Sequence, residues 1–379
     1  MSIYLDNSAT TRPCEAAVAA VTACMREEYY NPSALYAPAL RAGKMLRDCR
    51  DEILRAVHAP MGARVTFLSG GTEADNLAIL GGMEHMRGGR VLYSAGEHPA
   101  VREACEQLKN LTAGEIPLAA DGRVRLDRLE EMLTPDTRLI CVMQVNNETG
   151  AVMPIEEAAR LRDRLCPEAV LHVDGVQGFM RVPFSLRRSG ADSYALSGHK
   201  IHAPKGIGAL VFRPRLRLSP RQIGGGQEKT LRSGTENTPG IAGLRAAINA
   251  WPKDADLRKL KCLLYDELKA AIPDAVYNGP DPAGESSAPH ILNVSLPPVR
   301  SETMLYALAG DQVYVGIGSA CSSHKQKVSR VLRAIGLSGL RAESALRFSL
   351  CPYNTEDEMR KAAAIAARHY ELLKKYTRR

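Results

Sequence analysis

Lys200 closes the run Ser197-Gly198-His199-Lys200 and is followed by Ile201-His202-Ala203-Pro204-Lys205-Gly206. A lysine crowded by Ser, Gly, His and Pro is badly placed for a solvated helix face. Held among other cations or partly desolvated, its ammonium loses a proton readily, and the free amine is then suited to Schiff-base chemistry with an aldehyde. Asp174, in Leu171-His172-Val173-Asp174-Gly175-Val176-Gln177, lies 26 residues upstream, a spacing that fits one strand-to-strand crossover. A carboxylate facing a pyridine nitrogen keeps the ring protonated and electron-poor, so the two residues supply what pyridoxal phosphate asks of a protein. Taken alone, Asp174 serves equally well as the cap of the turn that follows it.

A phosphate needs its own cradle. Arg64-Val65-Thr66-Phe67-Leu68 runs into Ser69-Gly70-Gly71-Thr72-Glu73-Ala74-Asp75-Asn76, where a strand ends at two glycines and a helix begins. Backbone amides at a helix N-terminus, with glycine allowing close approach, bind anions. The competing reading is a plain helix start with Thr72 as N-cap and Asp75 at the third helical position. Far downstream, Cys321 sits in Gly316-Ile317-Gly318-Ser319-Ala320-Cys321-Ser322-Ser323-His324-Lys325-Gln326-Lys327. A small-residue, cationic loop favours the nucleophilic thiolate, whereas Cys141, in the apolar run Leu139 to Val145, reads as an inert core thiol.

These groups have to be positioned by regular elements. Helical stretches alternate with short apolar strands at 65–68, 90–93, 139–145, 170–173, 193–196 and 208–212, which argues an α/β fold with a mainly parallel sheet flanked by helices. In that setting Lys200 falls on a tight turn at a strand end, where open α/β sheets carry their sites. After Trp251-Pro252 the pattern changes to a long helix near 255–271, strands near 291–296, 313–315 and 345–350, and a final helix. We place a domain boundary there: a large domain over 13–252, and a smaller α+β domain made of 1–12 and 253–379.

Nine segments in order carry a resemblance that spans nearly the whole chain. They are Tyr4-Leu5-Asp6-Asn7-Ser8-Ala9-Thr10-Thr11 with Asn31-Pro32-Ser33, Ser69 to Glu73, Glu97-His98-Pro99-Ala100-Val101, Val145-Asn146-Asn147-Glu148-Thr149-Gly150, His172-Val173-Asp174, Ser197 to Lys200, Arg232-Ser233-Gly234-Thr235-Glu236-Asn237, Ser319 to Ser323, and Leu346-Arg347-Phe348-Ser349. Together the chain resembles the pyridoxal-phosphate-dependent cysteine desulfurases of the nitrogen-fixation and iron-sulfur-cluster type, in the class V aminotransferase superfamily. The resemblance implies the fold of type I pyridoxal-phosphate transferases. It implies that Lys200 holds the cofactor aldehyde, Asp174 the pyridinium nitrogen, and that His98 stacks on the ring and moves protons. Gln177 and Asn147 are then partners of the phenolic oxygen and the substrate. Gly71, Thr72, Ser197 and His199 cradle the phosphate, and Arg347 clamps the substrate carboxylate in two-point fashion. Thr235 matches a position that reaches the phosphate of a neighbouring subunit, so a homodimer is implied.

By the same resemblance the substrate is L-cysteine, whose sulfur passes to Cys321 as a persulfide while alanine departs. The acceptors would be proteins such as an iron-sulfur scaffold or a tRNA-thiolating enzyme. The stretch from Cys321 to Val331 has the length of the long-loop class, which delivers sulfur directly. Gly175, Tyr36 and Ala203 depart from the family pattern, which has alanine, often histidine, and glycine there. Selenocysteine lyase is the alternative activity, and a catalytically silent sulfur-handling scaffold the alternative class.

Composition agrees. The 379 residues are 45% hydrophobic, enough for a large core. Nine cysteines contain no Cys-x-x-Cys pair, and no apolar signal stretch follows Met1, which fits a reducing cytoplasm without zinc ribbon or disulfide frame. No apolar run is long enough to span a membrane. The formal charge of +8 is spread over helices without a stripe of interleaved aromatics, which argues against direct nucleic-acid binding and for docking of anions and acidic partners.

Overall fold

The computed structural model describes residues 2–318 and 329–376. A short strand β1 (Ile3–Tyr4) precedes helices Glu15–Arg26 and Ala37–Ala56. Seven strands follow: β2 (Arg64–Leu68), β3 (Arg90–Ser94), β4 (Thr112–Ile116), β5 (Thr137–Cys141), β6 (Val170–Asp174), β7 (Ser193–Ser197) and β8 (Gly208–Phe212). They form one sheet in the order β2-β8-β7-β6-β5-β3-β4. The run β4-β3-β5-β6-β7 is parallel, and β8 is antiparallel to both its neighbours. Its central strands are buried along their length, because helices cover both faces, and this is why they read as near-continuous apolar runs.

The anticipated strands at 65–68, 90–93, 170–173, 193–196 and 208–212 match to within a residue at each end. The stretch 139–145 is shorter as a strand: the ladder stops at Cys141, and Val142 and Gln144 then pair singly with the carbonyls of His172 and Asp174. Strand β4 was not anticipated. It is a sheet edge with the sequence Thr-Ala-Gly-Glu-Ile and a largely exposed face, so it lacks the apolar signal of its neighbours.

The second core lies elsewhere. Strands β9 (Val276–Tyr277), β10 (Ile291–Ser295) and β12 (Ala345–Ser349) form an antiparallel sheet in the order β12-β10-β9, and β11 (Val313–Tyr314) pairs in parallel with β1. Helices Leu257–Ala271 and Glu356–Leu373 pack with this sheet, burying Leu264, Leu268, Leu292, Phe348 and Met359 completely, each worth ~1.5–3 kcal/mol of transfer free energy. Asp256 caps the first of these helices, and Thr355 with Glu358 makes a capping box on the second. Ile3 and Leu5 enter this same core, while Val331, Leu332 and Ile335 pack into the core of the large sheet. The N-terminal segment is thereby pinned beside β12, with Asn7 and Ser8 bonded to Ser349. No helix among the described residues is long and apolar enough to cross a membrane.

Candidate active site

The carboxyl ends of β6 and β7 and the loop after β5 open on one cavity of about 250 Å³. Gly71, Thr72, His98, Asn147, Asp174, Gln177, Ser197, His199, Lys200 and Arg347 all line it, joined by Ser8, Ala9, Asp75, Met143 and Val176. Two predicted residues are not there. Thr235 is exposed in the loop 233–237, beside a different crevice lined by Gly234, Glu236 and Asn237. Cys321 lies outside the described residues. Of the flanks of its segment, Gly316 exchanges backbone hydrogen bonds with the cavity-lining Arg347, and Ser329 Oγ donates to Glu148 Oε2, next to the cavity-lining Asn147, at 2.5 Å.

Lys200 ends the single 3₁₀ turn that follows β7. Its Nζ donates to the carbonyls of Ser8 (2.6 Å) and Ala9 (2.8 Å), so the N-terminal segment forms the roof over the lysine. Burial, then the guanidinium groups of Arg181 and Arg347, pull its pKa down to about 7 against the smaller opposing pull of Asp6 and Asp174. Arg181 was not foreseen from sequence. It is buried, with its own pKa pushed down to about 10 by burial, and it donates to Gln177 Oε1 (3.0 Å) and to the carbonyl of Lys200.

His98 is the N-cap of helix Pro99–Glu106, and its Nδ1 accepts the amide hydrogen of Ala100 at 3.2 Å. The ring proton therefore belongs on Nε2. Burial, then the nearby Lys200, hold the imidazole neutral, with Asp174 pulling the other way. Asp174 accepts the Val176 amide on Oδ1 at 2.9 Å, so it caps its turn and faces the cavity at once. Burial raises its pKa, and His98 and Lys200 oppose that rise.

Two further buried carboxyls stand close by. Burial, then the charge of Asp174, raises Asp75 far above the usual carboxylate range. Its Oδ1 lies 3.2 Å from His172 Nε2, and burial lowers that imidazole to about 3. Glu97 takes hydrogen bonds from Ser94 Oγ (2.6 Å) and the Met143 amide (2.7 Å), with burial raising it to about 8. Three anions cannot share one dry floor. Burial raises all three, and of them only Asp174 has Lys200 and His98 beside it to oppose that rise.

Arg347, on β12, is 2% exposed. Its two terminal nitrogens donate to the Asn147 carbonyl (3.0 Å) and to Asp6 Oδ1 (2.7 Å), and its Nε is buried without a partner. At the other end of the cavity the helix opening at Gly71 is capped by Gly70 with no side-chain cap, so Thr72 is its second residue and not the N-cap. A Cβ on Gly71 would come within 2.5 Å of Val176 Cγ2, which explains the glycine. Asp75 is not an N-terminal cap either, being engaged with His172. His199 Nδ1 meets Thr10 Oγ1 at 3.1 Å, and burial, with Lys200 and Lys205, brings it down to about 4. Cys141 is fully buried with its thiol pKa far above the ordinary value through burial, as an inert core thiol should be.

Among the departures noted in the sequence, Gly175 has a steric reason: a Cβ there would sit 1.9 Å from Tyr194 Cζ. Tyr36 is exposed and edge-on to Tyr30, and Ala203 is buried.

The class V aminotransferase family model matches residues 3–361. A cysteine desulfurase from Nostoc sp. is 38% identical over 369 residues, covering 94% of this chain and 90% of its own. The cysteine desulfurase NifS of Azotobacter vinelandii is 34% identical with the same coverage. Among solved structures, a NifS-like protein superposes with a TM-score of 0.90 at 31% identity, covering 98% of this chain and all of its own, and a NifS-like protein from Rickettsia africae with 0.85 at 28% identity, covering 97% and 99%.

Proposed function

The chain belongs to the class V aminotransferase family and is a cysteine desulfurase, and from that premise we propose how its residues divide the work. The observation that carries the reading is the convergence of Lys200, Asp174, His98, Gln177 and Arg347, from four separate stretches of chain, on one cavity.

The donor set fits pyridoxal 5'-phosphate. A half-neutral lysine suits its aldehyde, a charged buried carboxylate its ring nitrogen, and a glycine cradle with the hydroxyls of Thr72 and Ser197 and the His199 ring its phosphate. When bound, the cofactor supplies an electron sink that acidifies the substrate Cα–H and loosens its Cβ–S bond. Lys200 would hold the aldehyde and would carry a proton at the substrate Cα. Asp174 would keep the ring nitrogen protonated, and Gln177 would serve the phenolic oxygen. His98, neutral with its proton on Nε2, would lie against the ring and pass protons. Arg347 and Asn147 orient L-cysteine by its carboxylate, Arg347 with the Nε that has no protein partner. The Ser8 and Ala9 carbonyls hold the Lys200 amine in place over the cavity.

Cys321 takes the sulfur. Its Sγ bonds to the substrate sulfur as the Cβ–S bond breaks and Cβ gains a proton, which leaves alanine and a Cys321 persulfide. An acceptor thiol, on an iron-sulfur scaffold or a tRNA-thiolating enzyme, then removes the outer sulfur. Thr235, exposed and outside its own cavity, completes the phosphate cradle of a second copy, so the working unit is a homodimer. The parts 13–252 and 1–12 with 253–379 act as its large and small domains. The described cysteines are all free, which supports a reducing compartment such as the cytoplasm as the place where it works.

The test compares alanine and sulfide release from L-cysteine, with a reductant, by the native protein and Cys321→Ala. The native protein turns over, and the variant keeps the cofactor's colour but releases no sulfide. Native protein that binds pyridoxal phosphate yet yields no alanine would overturn the reading.

A further inference from the structure

Asp174, Val176 and Gln177 are three cavity groups on one tight turn, and what holds that turn is a side chain that touches none of the reacting atoms. Tyr194 lies on β7, opposite Val173 of β6, and is fully buried. Its ring stacks on Phe184 with centroids 4.4 Å apart. Its hydroxyl donates to Gln144 Oε1 at 2.6 Å and lies 3.2 Å from the Gly175 carbonyl. Gln144 in turn grips the strand end from the other side. Its amide donates to the Asp174 carbonyl at 2.8 Å, and its side chain donates to the Val182 carbonyl at 3.1 Å.

The fit is close at two points. A Cβ on Gly175 would stand 1.9, 2.3 and 2.4 Å from three atoms of the Tyr194 ring, and a Cβ on Gly178 would stand 1.9 Å from Gln144 Oε1. Both glycines have ordinary negative backbone angles, so no left-handed conformation demands them; space does. The ring of Tyr194 occupies the volume that a side chain at 175 would need, and the turn rests on it.

We propose that Tyr194, bonded to Gln144, is a positioning residue for Asp174 and Gln177, and that Gly175 and Tyr194 form one steric unit in which a larger residue at one place requires a smaller one at the other. This rests on the reading that Asp174 meets the cofactor's ring nitrogen. Position 175 sets how far the Asp174 carboxylate advances into the cavity, and the Tyr194 hydroxyl stops the turn from tilting back.

The unit predicts sign reversal, which independent residues do not show. Gly175→Ala inserts a methyl into a filled space and weakens retention of pyridoxal phosphate by at least ~10-fold, while Tyr194→Leu opens a void and weakens it by ~5-fold. Combined, the two substitutions bring retention back to within ~3-fold of the native holoenzyme. The measurements are cofactor dissociation from the holoenzyme, its visible absorption maximum, and thermal unfolding of each variant. Tyr194→Phe keeps the ring and loses only the hydroxyl, so it shifts the absorption maximum while leaving unfolding of the cofactor-free protein close to native.

Additive losses in the double variant overturn the proposal, as does a Gly175→Ala variant that binds like the native protein. If Gly175→Ala fails to accumulate as folded protein, recovery of folded, coloured protein in the double variant is the predicted rescue, and an equally insoluble double variant refutes it. Native protein that does not take up pyridoxal phosphate at all refutes instead the cofactor reading on which this rests.

Discussion

Lys200 is drawn from an ordinary 10.5 to about 7 by burial and by the guanidinium groups of Arg181 and Arg347. At pH 7 about half of such an amine is free, against about 0.03% of an unperturbed lysine, a ratio of roughly 1,500. Only the free amine attacks an aldehyde. The cofactor-free protein should therefore recombine with pyridoxal phosphate at a rate that rises tenfold per pH unit only up to about 7 and is level beyond it. Stopped-flow absorbance between about pH 5.5 and 9.5 reads this directly, with a free lysine derivative as the unperturbed control. Arg181→Met removes the largest neighbouring cation, so its plateau begins at higher pH. A native rate still climbing tenfold per unit beyond pH 9 refutes the depressed amine, and an unmoved plateau in the variant refutes the attribution to Arg181. The same shift has a stability consequence of fixed sign. Between pH 7 and 10.5 the unfolded lysine binds a proton that the folded one does not, so this group's penalty is fully present below 7 and is relieved as pH rises through that window. Lys261, also brought down to about 7 by burial, acts with the same sign, so the slope is read as the difference between native protein and Lys200→Met.

Replacing the planar fork of Arg347 by lysine should raise KM for L-cysteine ~10- to 100-fold with the cofactor's absorption unchanged, because one point charge replaces two-point recognition; steady-state kinetics with absorption spectra on the same sample checks it. Asp192, fully buried, takes Arg162 at 3.0 Å, Arg215, and the Leu171 amide at 2.8 Å beneath the start of β6. Asp192→Ala takes from the buried Arg162 its buried partner, leaving it the exposed Asp163 at 2.6 Å, and should cost ~3 kcal/mol in urea unfolding, with a loss of cofactor retention as β6 loosens.

The chemistry legible in the sequence belongs to residues whose local setting penalises them. Lys200 stands among Gly, His and Pro at a strand end, and Asp174 ends an apolar triplet; each polar group is out of place unless something binds it, and the structure brings both to one cavity. Arg181 offers no such signal. It follows Gly-Phe-Met much as a surface arginine would, and becomes a determinant of Lys200 only because the turn after β6 folds back under Asn7 and the lysine carbonyl. Asp75 looked like a helix cap because its true partner, His172, is 97 residues away. Strand β4 escaped for the opposite reason, since an exposed edge needs no apolar alternation to be paired on one side.

Gly175 shows where local reading stops. Taken as a sequence position it is one methyl smaller than the alanine of the family pattern, and nothing next to it in the chain says why. In the fold that space is filled by Tyr194 from the neighbouring strand, so the smaller residue belongs to a tighter arrangement. A substitution's effect on packing depends on what the adjacent strand presents at the same register, here Val173 against Tyr194 and Asp174 against Ala195, and that pairing is set by the sheet as a whole. Chemistry-bearing residues can be found one at a time because protonation and nucleophilicity are properties of a group in its surroundings; volume in a packed core is shared between at least two residues.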